Sequence, residues 1–236
     1  ELPAPAYVPA FTVASARRLV GLPVGGHRVA VVGERINPTG KRRLKEALRA
    51  GDLDYLVAEA LDQRDAGADL LDVNCGLPEL DEPAVLAAAV GAVQAACDLP
   101  LQVDSTDPAA LDAACRAYAG KPLINSVNGS EESLAAVLPV AARHGAAVVG
   151  LTLDEDGIPS TAGERAAIAR RIVARAEEAG IAPEDVSIDC LAMAASTDQG
   201  GVAQILEALR LVRASLPVQT MLGVSNISFG LPCGRS

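Results

Sequence analysis

Aromatic residues make up only 2% of this 236-residue chain, and tryptophan is absent. With half of the residues hydrophobic, the core must be built from Val, Leu, Ile and Ala. Such a core suits many short parallel strands covered by Ala-rich helices, and the length fits one large α/β domain. Positive charge is also short: 20 Lys and Arg against 30 Asp and Glu leave a net charge of −10. A partner bound through nucleic-acid phosphates, which wants a basic face, is thereby excluded. The one basic cluster, "GKRRLK" at Gly40–Lys45, reads as a solvated helix start. Histidine occurs twice: His27 precedes the first predicted strand and His144 sits late in a helix, so neither is placed as a general base. The five cysteines are odd in number and lack metal-knuckle spacing, which argues against both a zinc site and a closed disulfide set. Free thiols in a reducing cytoplasm are expected, with Cys75 and Cys190 packing at strand ends. No signal-peptide pattern and no apolar run long enough to cross a membrane is visible. The first residue is Glu1 rather than Met, which points to a domain cut from something longer.

What is present is a regular alternation. Apolar runs recur at 29–34, 68–74, 101–105, 122–126, 146–152, 186–191 and 218–226. Helical patterns lie between them at 54–67, 82–97, 107–120, 131–145, 164–180 and 201–216, several ending in Gly as a left-handed cap prefers. Strand and helix repeated seven times mean a parallel sheet. Even repeats and a polar residue at every strand's C-terminal end favour a closed (β/α)8 barrel, in which those ends converge on one mouth. An open sheet would gather them at one switch point. It would often add a glycine-rich phosphate loop, and "GERINPTG" at 33–40 is no G-x-G-x-x-G. The chain stops just past the seventh strand, so the eighth unit is expected to lie outside it. Residues 1–28, rich in Pro, Ala and Gly, read as a linker or packed arm, and residues 29–236 as the barrel.

The polar strand ends are Glu34 with Asn37, Asp72 with Asn74, Asp104 with Ser105, Asn125 with Asn128, Asp189, and Ser225 with Asn226. They contain no nucleophile–base pair and no metal triad. Acids and amides without a cation suit a flat heterocycle: a carboxylate accepts from a ring N–H and an exocyclic amine together, while Asn serves mixed edges. A pterin offers such an edge. The competing reading is helix capping, given even weight at Asn37, Ser105 and Asn128. Asp72 and Asn74 share a face of one strand and read either as site residues or as loop anchors. Asp104, Asn125, Asp189 and Asn226 each close an apolar run, where capping is harder to invoke.

In sequence order, "GERINPTG", "DVNCG", "QVDST", "INSVNG", "GLTLDEDGIP", "SIDCL" and "GVSNISFGLP" resemble the pterin-binding methyltransferase family. Within it, the nearest resemblance is to the methyltetrahydrofolate-binding domain of cobalamin-dependent methionine synthase. The resemblance covers residues 29–236 and implies a TIM barrel. It implies 5-methyltetrahydrofolate as methyl donor and a corrinoid, carried by another domain or protein, whose Co(I) accepts the methyl. A homocysteine-binding domain would lie on the N-terminal side. Asp104, Asn125 and Asp189 would hold the pterin ring, and Asn226 would sit by N5, the methyl-bearing nitrogen. Ser225, Gly223, Asp72, Asn74, Glu34, Asn37 and Arg235 would complete the folate site, with no metal. After "SFGLP" the family usually has one or two residues and then Arg; here the chain reads Cys233-Gly234-Arg235 and then stops, a departure in this stretch. A neutral amide at 226 can accept or donate as N5 gains a proton, whereas an Arg would oppose the positive charge forming there.

Four alternatives remain open at this point. One is a methyltransferase serving the corrinoid iron–sulfur protein of one-carbon metabolism. A second is dihydropteroate synthase, which would want Arg and Lys at the seventh strand. The others are a folate-binding module without chemistry and a barrel whose polar strand ends are only caps.

Overall fold

The computed structural model describes residues 8–193 and 200–227. Its backbone runs β1 (Ala10–Ser15), β2 (Leu19–Pro23), β3 (Val32–Ile36), α1 (Arg42–Ala50), α2 (Leu53–Asp65), β4 (Leu70–Asn74), α3 (Glu82–Ala96), β5 (Leu101–Asp104) and α4 (Pro108–Ala117). It continues through β6 (Gly120–Lys121), β7 (Leu123–Asn128), α5 (Glu131–His144), β8 (Ala147–Leu151), α6 (Ala162–Glu178), β9 (Val186–Asp189), α7 (Gly201–Ser215) and β10 (Gln219–Met221).

Seven strands pair in parallel in the order β10-β9-β8-β7-β5-β4-β3, each step crossing through a helix. This is the curled (β/α) barrel sheet that the alternation predicts. The helices start where sequence chemistry places them. Asp52, Asp81, Asp107 and Ser130 each accept a backbone N–H at the first turn of α2, α3, α4 and α5, and Thr161 and Glu164 form a reciprocal capping box on α6. The basic stretch at 40–45 does open a helix, α1, and Gly145 ends α5 with φ 59°.

Strand alternation divides the apolar residues into two layers. Leu71, Val73, Leu101, Val103, Ile124, Val148 and Ile188 face outward onto Leu56, Leu86, Val90, Leu111, Leu134 and Ile172 of the helices. Leu70, Leu123, Ala147 and Val149 face inward, where they meet Phe11, Val13 and Val20.

Those last three residues belong to the segment expected to be a linker or arm. β1 and β2 form an antiparallel hairpin that docks through β1 on β6, at the N-terminal end of β7. It therefore closes the end of the barrel opposite the site. Gly120 makes this docking possible: a Cβ there would lie 2.1 Å from the Ala14 carbonyl oxygen. Tyr118 bolts the hairpin in place, donating to the Ala14 carbonyl (3.0 Å) while accepting from Leu101 N–H (3.1 Å). Gln219 on β10 donates to the carbonyls of Leu22 and Pro23 (3.0 and 2.9 Å). Lys121 reaches both Thr12 and Asp185.

Two predicted boundaries move. The first barrel strand starts at Val32 rather than Val29, and both Val29 and Val31 are exposed. The seventh ends at Met221, and Val224–Asn226 turn instead as a single 3-10 unit. Among the described residues no helix is long and apolar enough to cross a membrane.

Candidate functional site

The inward-facing positions change character along each strand. At the closed end they are apolar. One layer up come Asp72, Gln102, Ser187 and Gln219, all buried. At the C-terminal edge come Asn74, Asp104, Asn125 and Asp189. Register sets this grouping: Asn74 pairs with Asp104, Asp104 with Asn125, and Leu151 and Met221 flank Asp189.

Asp72 lies under this rim, 1% exposed. Its Oδ1 accepts from the amides of Gln102 (2.5 Å) and Asn125 (3.4 Å), whereas its Oδ2 and Gln102 Oε1 are buried with no partner. Burial holds the Asp72 carboxyl well above the ordinary carboxylate range, and the Asp104 and Glu34 carboxylates push it the same way. Burial also raises Asp104; contact with the Asn74 side chain opposes that rise, and Glu34 and Glu82 add to it. Asp189 is raised by burial as well, against the Leu191 N–H and the nearby Arg165 cation. No ion pair engages Asp72 or Asp104 among the described residues. The mouth is thus a cluster of acids held above the ordinary carboxylate range and of amides, suited to accepting N–H groups.

Two β-bulges shape the rim. Between Gly33 and Ile36 the register of β3 slips against β4, so Glu34 and Arg35 together oppose Asp72. The freed Arg35 N–H is taken by Gln63 Oε1 (2.8 Å), and Lys41 donates to the carbonyls of Glu34 and Arg35. Gly33 leaves the room: a Cβ there would sit 2.6 Å from that same Gln63 oxygen. A second slip, between Asn125 and Val127, re-aims β7 just past Asn125. Bulges of this kind commonly redirect side chains beside active sites.

The other predicted residues divide. Asn37 accepts from Thr39 N–H, Asn128 from Ser130 N–H and Ser105 from Asp107 N–H, so all three tie turns; Ser105 also donates to Glu82. Asn74 does local work too, accepting from Gly76 N–H (2.9 Å). Glu34 is largely exposed, yet near enough to act on both Asp72 and Asp104. Asn226 follows β10 and is exposed, with its N–H donating to the Gly223 carbonyl (3.2 Å). A Cβ on Gly223 would come 3.1 Å from Asn226 Nδ2, so the glycine gives the amide its place. The side chain of Ser225 and the whole of Arg235 lie outside the described residues. No group of three or more His, Cys, Asp or Glu able to hold a metal occurs among the described residues.

Sequence reasoning missed Gln102 and Arg165. Gln102 stands two residues before Asp104 in "LQVDS", hence on the same inward face, and that spacing was the available signal. Arg165 shares a helix face with Ala162, Ala166, Ile168 and Ala169, all buried.

The chain is 37% identical over 220 residues to methionine synthase of Mycobacterium tuberculosis, covering 88% of this chain and 18% of that protein. It is 30% identical over 211 residues to the methylcorrinoid:tetrahydrofolate methyltransferase of Eubacterium limosum, covering 87% and 76%. The chain therefore spans only about a fifth of the methionine synthases it matches. In fold it is similar to dihydropteroate synthase of Xanthomonas albilineans, with a TM-score of 0.67 at 24% identity over 89% of this chain and 76% of that one. A family model described as pterin binding enzyme matches residues 33–234, and the chain belongs to that family.

Proposed function

We propose that this chain binds 5-methyltetrahydrofolate in the C-terminal mouth of its barrel and passes the N5 methyl to a corrinoid as a step of methionine synthesis. The observation that carries the reading is the rim of Asn74, Asp104, Asn125 and Asp189 on β4, β5, β7 and β9, with no cation paired to Asp72 or Asp104 among the described residues. The names of the two relatives, one a methionine synthase and one a methylcorrinoid:tetrahydrofolate methyltransferase, support it.

Asp104 and Asp189 accept from the ring N–H and exocyclic amine of the pterin. Asn125 meets the mixed edge of the ring, and Asn226 stands at N5. The Asn226 amide donates to N5 while the methyl is in place and accepts once N5 carries a proton. As a neutral group it does not oppose the positive charge on the departing amine. Asp72, Asn74 and Glu34 form the polar wall behind Asp104.

A corrinoid supplies the nucleophile, as Co(I), from another domain or protein. Neither histidine of this chain fits as its ligand at the mouth: His144 is bound to Asp112 between α4 and α5, and His27 is exposed ahead of β3. Homocysteine binding likewise belongs to a partner domain.

The test is calorimetric titration of 5-methyltetrahydrofolate followed by methylation of cob(I)alamin. One-to-one saturable binding that is lost in Asp104→Ala, together with methylcobalamin formation, is the expected result. A folded protein that binds no folate overturns the proposal. A free-standing methyltransferase exchanging methyl between folate and a separate corrinoid protein is the second reading, supported by the 76% of the Eubacterium limosum protein that the chain covers.

A further inference from the structure

The loop leaving β9 has an unusual backbone. Leu191 has φ 57°, the one non-glycine among the described residues in the left-handed region. Side chains of its kind avoid that region unless their surroundings impose it. In this turn the Leu191 N–H points at Asp189 Oδ1, 2.7 Å away. The main chain of Asp189 is already fixed to β8, its carbonyl accepting from Thr152 N–H (3.0 Å) and Thr152 Oγ1 (3.2 Å). The carboxylate is what the turn adds.

Arg165 grips the turn. It lies in the first turn of α6, 3% exposed, and its Nη1 donates to the carbonyls of both Cys190 and Leu191. Its Nε donates to the Pro159 carbonyl in the loop before α6 (3.0 Å), so the guanidinium joins two loops of the mouth. Packing alone would not favour this residue. A cation in the first helical turn opposes the helix dipole, and a buried charge loses its water. What the guanidinium brings is a planar fork of donors at fixed angles, which a Lys ammonium lacks.

We infer that Arg165 is a positioning residue: by clamping the Cys190 and Leu191 carbonyls it holds the Leu191 N–H on Asp189 and so fixes the carboxylate that meets the pterin. The part concerning the pterin rests on the folate reading above; the part concerning Asp189 does not.

The experiment compares Arg165→Lys, Leu191→Gly and the double variant in the whole chain. It uses 5-methyltetrahydrofolate titration and, without ligand, carboxyl-carbon NMR titration of Asp189. Arg165→Lys is expected to weaken folate binding about tenfold and to raise the Asp189 titration midpoint. Leu191→Gly alone stays within about twofold of the parent, because glycine takes φ 57° without strain. Added to Arg165→Lys, it recovers most of the loss, a rescue that general destabilisation would not produce. A folded Arg165→Lys protein with unchanged folate affinity and unchanged Asp189 titration overturns the inference, as does a double variant with no recovery. If the parent binds no folate while the Asp189 midpoint still moves, the folate reading is what fails and the clamp on Asp189 stands. If Arg165→Lys does not fold, Arg165→Gln, which keeps one amide donor, takes its place with the same criteria.

Discussion

Replacing Phe11 by Ala tests whether the N-terminal hairpin is part of the barrel or an appendage. The ring is 4% exposed and packs among Val13, Val20, Leu70, Leu123, Ala147 and Val149, residues drawn from the hairpin and from three barrel strands. Truncation removes the six ring carbons and returns roughly 100 Å² of apolar surface to a void, about 3 kcal/mol of lost transfer energy. The surrounding strands are held by ladders on both sides and relax little, so the cavity raises the expected loss to about 3–5 kcal/mol. Urea unfolding followed by far-ultraviolet circular dichroism measures it, with Leu19→Ala as the control. That residue sits on the same hairpin at 66% exposure, where a change of about 0.5 kcal/mol or less is expected. Gly120→Ala attacks the same docking from the other side, through the Ala14 carbonyl, and its effect should combine with Phe11→Ala less than additively. A Phe11→Ala protein within about 0.5 kcal/mol of the parent at unchanged m-value would refute the reasoning, since the hairpin would then lie outside the cooperative unit.

Asp72→Asn should stabilise the fold at neutral and mildly alkaline pH, by about 1–3 kcal/mol. The folded-state pKa of Asp72 is raised, so the folded protein binds the proton more tightly than the unfolded chain, and stability falls as pH climbs from the ordinary carboxylate range through the raised value. The variant should lack that fall when thermal unfolding is followed against pH. Folate affinity should drop on acidification at a higher pH than for an ordinary carboxylate, because Asp104 is raised and accepts two N–H groups only when ionised; a flat calorimetric profile down to the ordinary carboxylate range would contradict its role. Asn226→Ala should slow methyl transfer to cob(I)alamin at least tenfold, about 1.4 kcal/mol, while folate affinity changes less, and equal losses in single-turnover and binding assays would sink that assignment. Gly223→Ala, which crowds the Asn226 amide, should reproduce the defect in milder form.

The central barrel strands were legible because they bury both faces and so form apolar runs of their own, with Asp104 and Asp189 ending β5 and β9 and Asn125 lying beside Asp104. The hairpin was not. β1 and β2 are short, carry flanking Pro and Gly, and gain their burial from β4, β6, β7 and β8, all far away in sequence. Nothing local in "AFTVAS" records that partner. Val29 and Val31 misled in the opposite sense, since an apolar pair lengthened a strand that begins only at Val32. At the site, "SIDCL" showed Asp189 but not the Leu191 turn or the Arg165 clamp, because a positive φ and a carbonyl partner 26 residues off leave no periodic trace.

Tyr118, which bolts the hairpin to β5, also gives the protein an optical signal of its own. The chain has three tyrosines and no tryptophan to mask them. Burial pushes the Tyr118 phenol up to about 12; half-buried Tyr55 is also raised, by desolvation and by Glu59, but less. In an alkaline titration of phenolate absorbance, Tyr118 should therefore ionise late, as the hairpin leaves its seat. The last step in that curve would time the opening of the barrel's closed end, with no label attached.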